Sequence, residues 1–449
     1  MYFINSNTLA RFALLFAGMF LVLVGSTFAQ PLDNNGWTIL TPSSDSRIVY
    51  VSSSTGNDTN DGLSSSAPKK TLAAGLTLMR NGFPDWLRLK SGDVWNNDTI
   101  SWQQSGRSVN EKSVLTSYGT GPRPLIKNGF YKSIGTKNHI AIIGIEFYQS
   151  YSDPQSLDYL QGTTLPNAIQ IRLDAGGDIL VENNSFRYYG TNVQIRRIGG
   201  WVGGELLDGV TFRRNINTDA KAFCLTITWA DKVNIEENTF DRCGWVNRSK
   251  FLHDVYIKED KHVTARGNSF LHGGNFGLKI SGDHQASFTN FVVEDNLFYR
   301  GGLSLGHSEG ATDYDPKVNF AISDGLVSRN IFVNPYKDFV DDRTEQSGAT
   351  YNQNFDNVTF DGNIFTHLQV VGGTGTCFGF SGGSERSRNA TVTNNVVYDW
   401  TSNWFRNSGL YWKGHEDVEN FVASNNFPSS ATYFDPDRDL ASYSVSFFY

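Results

Sequence analysis

Apolar residues alternate with polar ones in short runs along most of this chain, and run after run ends in one phrase, apolar-x-apolar-x-x-Asn-x-Phe. It stands at 179–186 (ILVENNSF), 233–240 (VNIEENTF), 263–270 (VTARGNSF), 291–298 (FVVEDNLF) and 358–365 (VTFDGNIF), with weaker copies between them. Period-two alternation predicts strands buried on one face, and Asn, which tolerates turn geometry, predicts a bend after each. The series Asn184, Asn215, Asn238, Asn268, Asn296, Asn330, Asn363, Asn395 and Asn425 is spaced by 23 residues at its tightest (215 to 238) and 34 at its widest (296 to 330). An elastic repeat of this size predicts stacked coils. Equivalent strands then pair in parallel about 4.8 Å apart, and like side chains fall above one another. The asparagines form a ladder, and Phe186, Phe240, Phe270, Phe298, Phe332, Phe365 and Phe427 stack inside. The expected fold is all-β: a right-handed parallel β-helix of roughly ten or more coils.

The residue two before each Asn tests this register, because it is expected to point outward beside its counterpart one coil away. Those residues read Glu182, Arg213, Glu236, Arg266 and Glu294. Their sign alternates at every step, as charges on neighbouring strands should, and they are assigned to structure.

The ends and the composition bound the rest. Arg11, an apolar run over 12–24 and the small residues up to Ala29 predict a secretory signal peptide over 1–29, hence export with no membrane insertion after cleavage. Residues 30–449 are expected to form one lengthwise-grown domain, because a solenoid needs no division, and to act as a monomer. The three cysteines, an odd number for an exported chain, predict isolated thiols, with a Cys224–Cys243 pair, the two sharing a coil, as the open alternative. A formal charge of −7 argues against nucleic acid as a partner.

From Tyr50 the chain reads YVSSSTGNDTNDGLSSSAPKKTLAAGLTLM, then DWLRLKSGDVW: a strand, a Gly-Asn-Asp turn and a short helix at Thr71–Gly75. With the coil repeats, this resembles the N-terminal cap (about 47–80 here) of secreted bacterial β-helix proteins of the polysaccharide lyase type, related to pectate and alginate lyases. The resemblance implies the fold and a carbohydrate substrate; it does not specify which sugar.

A second phrase precedes the Asn phrase in each coil: 168–172 (AIQIR), 192–196 (NVQIR), 224–228 (CLTIT), 254–258 (DVYIK), 277–281 (GLKIS), 302–306 (GLSLG) and 409–413 (GLYWK). Stacking their polar positions gives one outward row, Gln170, Gln194, Thr226, Tyr256, Lys279 and Ser304, and a parallel row, Arg172, Arg196, Thr228, Lys258 and Ser281. An acidic chain thus carries a basic strip, with Arg197 close by. A linear polyanion complements such a strip, and arginine suits bidentate carboxylate binding. A uronate-containing polysaccharide is the expected substrate, with Arg172, Arg196, Arg197, Lys258 and Gln194 as its binding residues.

Cleavage of a uronate chain by β-elimination removes the proton at C5 and needs a base, a neutraliser for the carboxylate and an acid for the leaving oxygen. His253, Asp254, Tyr256 and Lys279 are the catalytic candidates. Lys279 is the expected base, its proton loosened by Arg and Lys neighbours, with Tyr256 or His253 the acid. Asp313 and Asp315, in the excursion after Leu305, are the candidate ligands for Ca²⁺ bridging enzyme and uronate. A glycoside hydrolase using two carboxylates, a uronate epimerase using the His253–Asp254 pair, and a non-catalytic polysaccharide-binding or adhesin β-helix are the alternatives.

Overall fold

Alternating side chains bury Ile, Val and Leu on one face of each run, and the chain turns at short polar breaks to bring the next buried face alongside the last. The computed structural model describes residues 31–162, 165–198, 205–244, 252–258, 260–273, 276–282, 288–307, 322–333, 349–369, 377–380, 387–401, 412–413 and 418–426. The predicted signal peptide, Phe427, Asp313 and Asp315 lie outside them. Two compact units are distinguished, Met1–Ile39 and Leu40–Tyr449. In the first, Asp33 Oδ1 accepts the backbone N–H groups of Asn35 (2.8 Å) and Trp37 (2.9 Å) beside a Leu32–Thr38 bridge.

The second unit is a right-handed parallel β-helix of three parallel sheets, which among the described residues have 14, 11 and 11 strands. One coil shows the order: Ile169–Leu173 in the second sheet, Gly176–Glu182 in the first, Ser185–Arg187 in the third, then Val193–Arg197 back in the second. The helix Leu72–Leu76 packs on strands Ile48–Val51 and Thr99–Trp102 at the N-terminal end. Thr71 caps it by accepting the Ala74 N–H at 3.1 Å, and Leu72 enters the core.

Between the first and third sheets the asparagines form the expected ladder, and the amide of Asn268 shows its unit. Its Oδ1 accepts the backbone N–H (3.0 Å) and Nδ2 (3.0 Å) of Asn238, and its Nδ2 donates to Asn296 Oδ1 (3.0 Å) and the Ile235 carbonyl (2.8 Å). Each buried amide so placed is fully paired, and every rung ties three coils together. The base of the ladder is the backbone N–H of Ile145, which donates to Asn184 Oδ1 at 3.0 Å.

Two details of the ladder differ from the sequence reading. Its last described rung is Asn426, not Asn425, because Asn395 donates to Asn426 Oδ1 through both its backbone N–H and its Nδ2. The bend itself is made one residue earlier. Asn183, Arg214, Glu237, Gly267, Asp295, Arg329, Gly362, Asn394 and Asn425 all take φ between 52° and 65°, the left-handed region. The ladder Asn is thereby freed to turn its amide inward, and the strain of each left-handed residue is offset by the rung it sets up.

Phenylalanines stack beside the ladder, with ring centroids 4.7 Å apart for Phe298–Phe332 and 4.8 Å for Phe332–Phe365. Phe147 extends the stack downward, and Phe212 bridges the step where Asn217 replaces a ring between Phe186 and Phe240. The alternating charges pair in the predicted register, Glu182 to Arg213, Glu236, Arg266 and Glu294. Glu182, Arg213 and Glu294 are nevertheless buried, each long side chain being covered by its partners one coil away. Arg213 Nε meets Glu182 Oε2 at 2.9 Å.

Candidate functional site

The outer face of the second sheet carries both predicted rows. Strand pairing aligns Gln170, Gln194, Thr226, Tyr256, Lys279 and Ser304, and beside them Arg172, Arg196, Thr228, Lys258 and Ser281. Lys132 pairs with Gln170 and extends the first row by one coil, a continuation readable in the alternation of Tyr131-Lys132-Ser133. Among the described residues, no outward position of these two rows is an Asp or Glu.

The strip divides into two stations. Arg172 and Arg196 pair directly on adjacent strands at its lower end, with Arg196 lying over the Trp229 ring at 5.7 Å. Lys258 and Lys279 lie two and three strands above Arg196, roughly 10 and 14 Å away by strand spacing. The expected loosening of the Lys279 proton by arginine neighbours therefore has no geometric basis. Its closest cation in register is Lys258, diagonal to it on the adjacent strand.

The arginine pair is electrostatically unusual. Most other guanidiniums of the solenoid meet a carboxylate: Arg213 with Glu182, Arg214 with Glu237, Arg242 with Asp219, Arg266 and Arg329 with Glu294, Arg388 with Asp356. Arg172 and Arg196 meet none among the described residues, and the Nε of each is shielded from solvent without an acceptor. Like charges directly opposite on neighbouring strands are destabilising, and the described residues supply no anion to offset this pair.

Around the upper station an aromatic wall forms. Phe223, His253 and Phe276 occupy equivalent positions of three successive coils, with centroids 6.1 Å and 5.8 Å apart, and Tyr256 stacks on Phe223 at 5.8 Å. Phe223, Phe276 and Trp229 were not singled out from the sequence, although aligning coils on the second phrase places Phe223 and Phe276 beside His253. Lys279 Nζ lies 5.7 Å from the Tyr256 ring centroid, a cation–π geometry. The polar row continues below, where Gln170 Nε2 donates to Gln194 Oε1 at 3.4 Å.

Three predicted site residues are placed differently. His253 is buried, 3% exposed, with its ring between Phe223 and Phe276; its Nδ1 accepts the Phe276 N–H at 3.4 Å. It supports Tyr256, at a 5.7 Å edge-on contact, rather than facing the groove. Asp254 is wholly buried and turns inward at the corner before its strand, in a column with Ala168, Asn192 and Cys224. Its Oδ1 accepts the Cys243 N–H at 3.3 Å, and its Oδ2 is buried without a partner. Burial pushes this carboxyl well above the usual range, the Cys243 N–H opposes that rise and the Asp241 charge adds to it, which favours its neutral form. Arg197 leaves the strip at the strand end, where its guanidinium binds Glu205 at 3.0 Å and the Asp174 carbonyl at 3.1 Å.

Cys224 and Cys243 form a disulfide with Cα atoms 5.5 Å apart, so the alternative left open for these two holds in place of isolated thiols. Both are buried at corners of one coil, so their side chains converge inside. Cys377 is a free buried thiol, and burial raises its pKa well above the ordinary value. Among the described residues no cluster of three or more His, Cys, Asp or Glu is arranged to hold a metal, and no helix is long and apolar enough to cross a membrane.

No family model and no curated protein matches this chain in sequence. Among solved structures, the Dettilon tailspike protein (gp208) is similar with a TM-score of 0.53 at 11% identity, over 84% of this chain and 68% of that one. The complex of XylC with xylose gives 0.53 at 10% identity, over 87% and 86%. The alginate lyase AlyGC gives 0.44 at 15% identity, over 79% of this chain and half (50%) of its own length. At such identities the likeness is one of fold.

Proposed function

We propose that this protein is a carbohydrate-active enzyme that cleaves a uronate-containing polysaccharide by β-elimination in the groove of the second sheet. The observation that carries this reading is the Arg172–Arg196 pair, two arginines in register on adjacent strands that meet no carboxylate among the described residues, on a chain of net charge −7 where most arginines are ion-paired. A chain carboxylate would satisfy both by charge-assisted hydrogen bonds. The distance up the groove to Lys258 and Lys279 suits a linear polymer, with one unit anchored at the arginines and another presented at the lysines. Binding energy from the anchored unit can then position the reacting one.

At the upper station each part of an elimination has a residue. Lys279 Nζ, in its neutral form, takes the proton from C5 while Lys258 faces the carboxylate of the same sugar and stabilises the charge that develops on it. The C4–O4 bond breaks as the C4–C5 double bond forms, and the Tyr256 hydroxyl gives its proton to the departing O4. Phe223 stacked on Tyr256, with His253 against its edge, holds that phenol in place. Elimination is favoured over hydrolysis by two groove carboxylates, because the outward rows hold basic, hydroxyl and amide groups and no acid among the described residues.

Incubating the purified protein with alginate, polygalacturonate and glycosaminoglycans tests the reading through the ultraviolet absorbance of the unsaturated uronate product. Absorbance rising with one of them is expected. Reducing ends released without absorbance would mean hydrolysis, and binding with neither would leave a non-catalytic polysaccharide-binding protein. Arg172→Ala with Arg196→Ala is expected to weaken polymer binding at least tenfold and flatten its salt dependence.

A further inference from the structure

A second concave surface lies off the groove. Residues 149–162 and 165–168 stand between Glu146–Tyr148 of the third sheet and Ile169 of the second, and among them Ser150–Ser152 forms a 3-10 turn. Long excursions of this kind carry function more often than connection. This one is fastened to the coils beneath it. Ser150 donates to Asn128 Oδ1 through its N–H (2.7 Å) and hydroxyl (3.0 Å), the Tyr151 hydroxyl reaches Asn97 Oδ1 at 3.1 Å, and Lys127 meets Asp158 at 2.6 Å.

Between this excursion and the next three coils is a cleft of about 630 Å³, within the range of small-molecule sites. Tyr159 and Leu160 form one wall; Tyr188, Asp219, Lys221 and Arg242 line the other side, and none belongs to a groove strand. Tyr159 and Leu160 leave 43% and 53% of their surface to water, apolar area that a bound ring would cover. Arg242 is occupied by Asp219, at 2.7 and 3.0 Å, and by Asp241. Lys221 has no acceptor, so among the described lining residues it is the cation open to a ligand. The Tyr188 phenol, pushed up to about 12 by burial and by the Asp219 charge, stays a protonated donor.

We infer that this cleft is a second saccharide site, off the groove, which takes a short uronate-bearing sugar by stacking on Tyr159 and pairing its carboxylate with Lys221. An aromatic ring beside a single cation is the chemistry that recognises an acidic pyranose. The choice of a uronate rests on the groove reading; the cleft itself does not.

The test uses the full chain carrying Arg172→Ala and Arg196→Ala, titrated by calorimetry with trigalacturonate and with neutral xylotriose. Trigalacturonate binding is expected to persist in that background and to fall at least tenfold on adding Tyr159→Ala or Lys221→Ala, with xylotriose at least tenfold weaker. No binding, binding indifferent to both cleft substitutions, or equal affinity for xylotriose overturns the inference. Tyr159→Ala and Lys221→Ala alone are expected to leave elimination at its wild-type rate. Cleft binding without any elimination would sink the groove reading and keep the cleft.

Discussion

Asn268→Ala removes one rung from the middle of the ladder, and the structure sets the cost. The amide makes four hydrogen bonds, two accepted from Asn238 and two donated, to Asn296 Oδ1 and to the Ile235 carbonyl. Truncation leaves the Asn238 N–H and one Asn238 Nδ2 hydrogen without partners in a core where Asn238 is buried. Asn296 Oδ1 keeps the backbone N–H of residue 268, at 2.9 Å, and so is spared. Each orphaned buried group costs about 1–3 kcal/mol, which gives about 3–5 kcal/mol once partial relaxation is allowed. Asp208→Ala, which breaks an exposed pair with Lys232 on the same sheet, is the control and should stay within about 1 kcal/mol. A solenoid unfolds locally, so the assay is native-state hydrogen exchange by mass spectrometry on peptides spanning 230–241 and 262–270. With tenfold per 1.4 kcal/mol, exchange there should accelerate by about a hundredfold to a few thousandfold. Acceleration below tenfold, or no greater than in Asp208→Ala, would refute the ladder as a principal source of coil stability.

Two further predictions concern the corner beneath the groove. Burial raises the folded pKa of Asp254 above its unfolded one. The folded state therefore binds the extra proton, and stability falls as pH rises from the unfolded pKa through the folded one. Asp254→Asn, which mimics the neutral acid, should raise the melting temperature by roughly 2 °C or more at pH 8 and lose that advantage near pH 4, measured by circular dichroism. An advantage that grows on acidification would contradict it. For the disulfide, thiol labelling of the denatured, unreduced protein should find Cys377 alone, and Cys224→Ser with Cys243→Ser should cost about 3 kcal/mol for a sequence separation of 19. Three labelled thiols would refute the pairing.

The coil register was legible in the chain because period-two burial and a recurring Asn fix which residues share a face. Alignment on the asparagines was enough to place Tyr256 beside Lys279 and Arg172 beside Arg196, residues distant along the chain. Alternation fails where strands end. Asp254 has the parity of Tyr256 but turns inward at the corner, Arg197 bends away to Glu205, and His253 goes under the aromatic wall. The Asn425–Asn426 doublet gave the alignment two equal choices, and the left-handed turn at Asn425 decides it. Disulfide formation depended on two corner side chains converging, which spacing along the chain does not encode.

In the proposed reaction the groove holds a polyuronate and Lys279 removes its C5 proton. The most direct measurement compares wild type and Lys279→Ala on the polymer that wild type cleaves, recording the rate of unsaturated-uronate formation together with polymer affinity. The account predicts elimination reduced by at least a thousandfold with affinity changed by less than tenfold. Elimination retained at a wild-type rate in Lys279→Ala would contradict it.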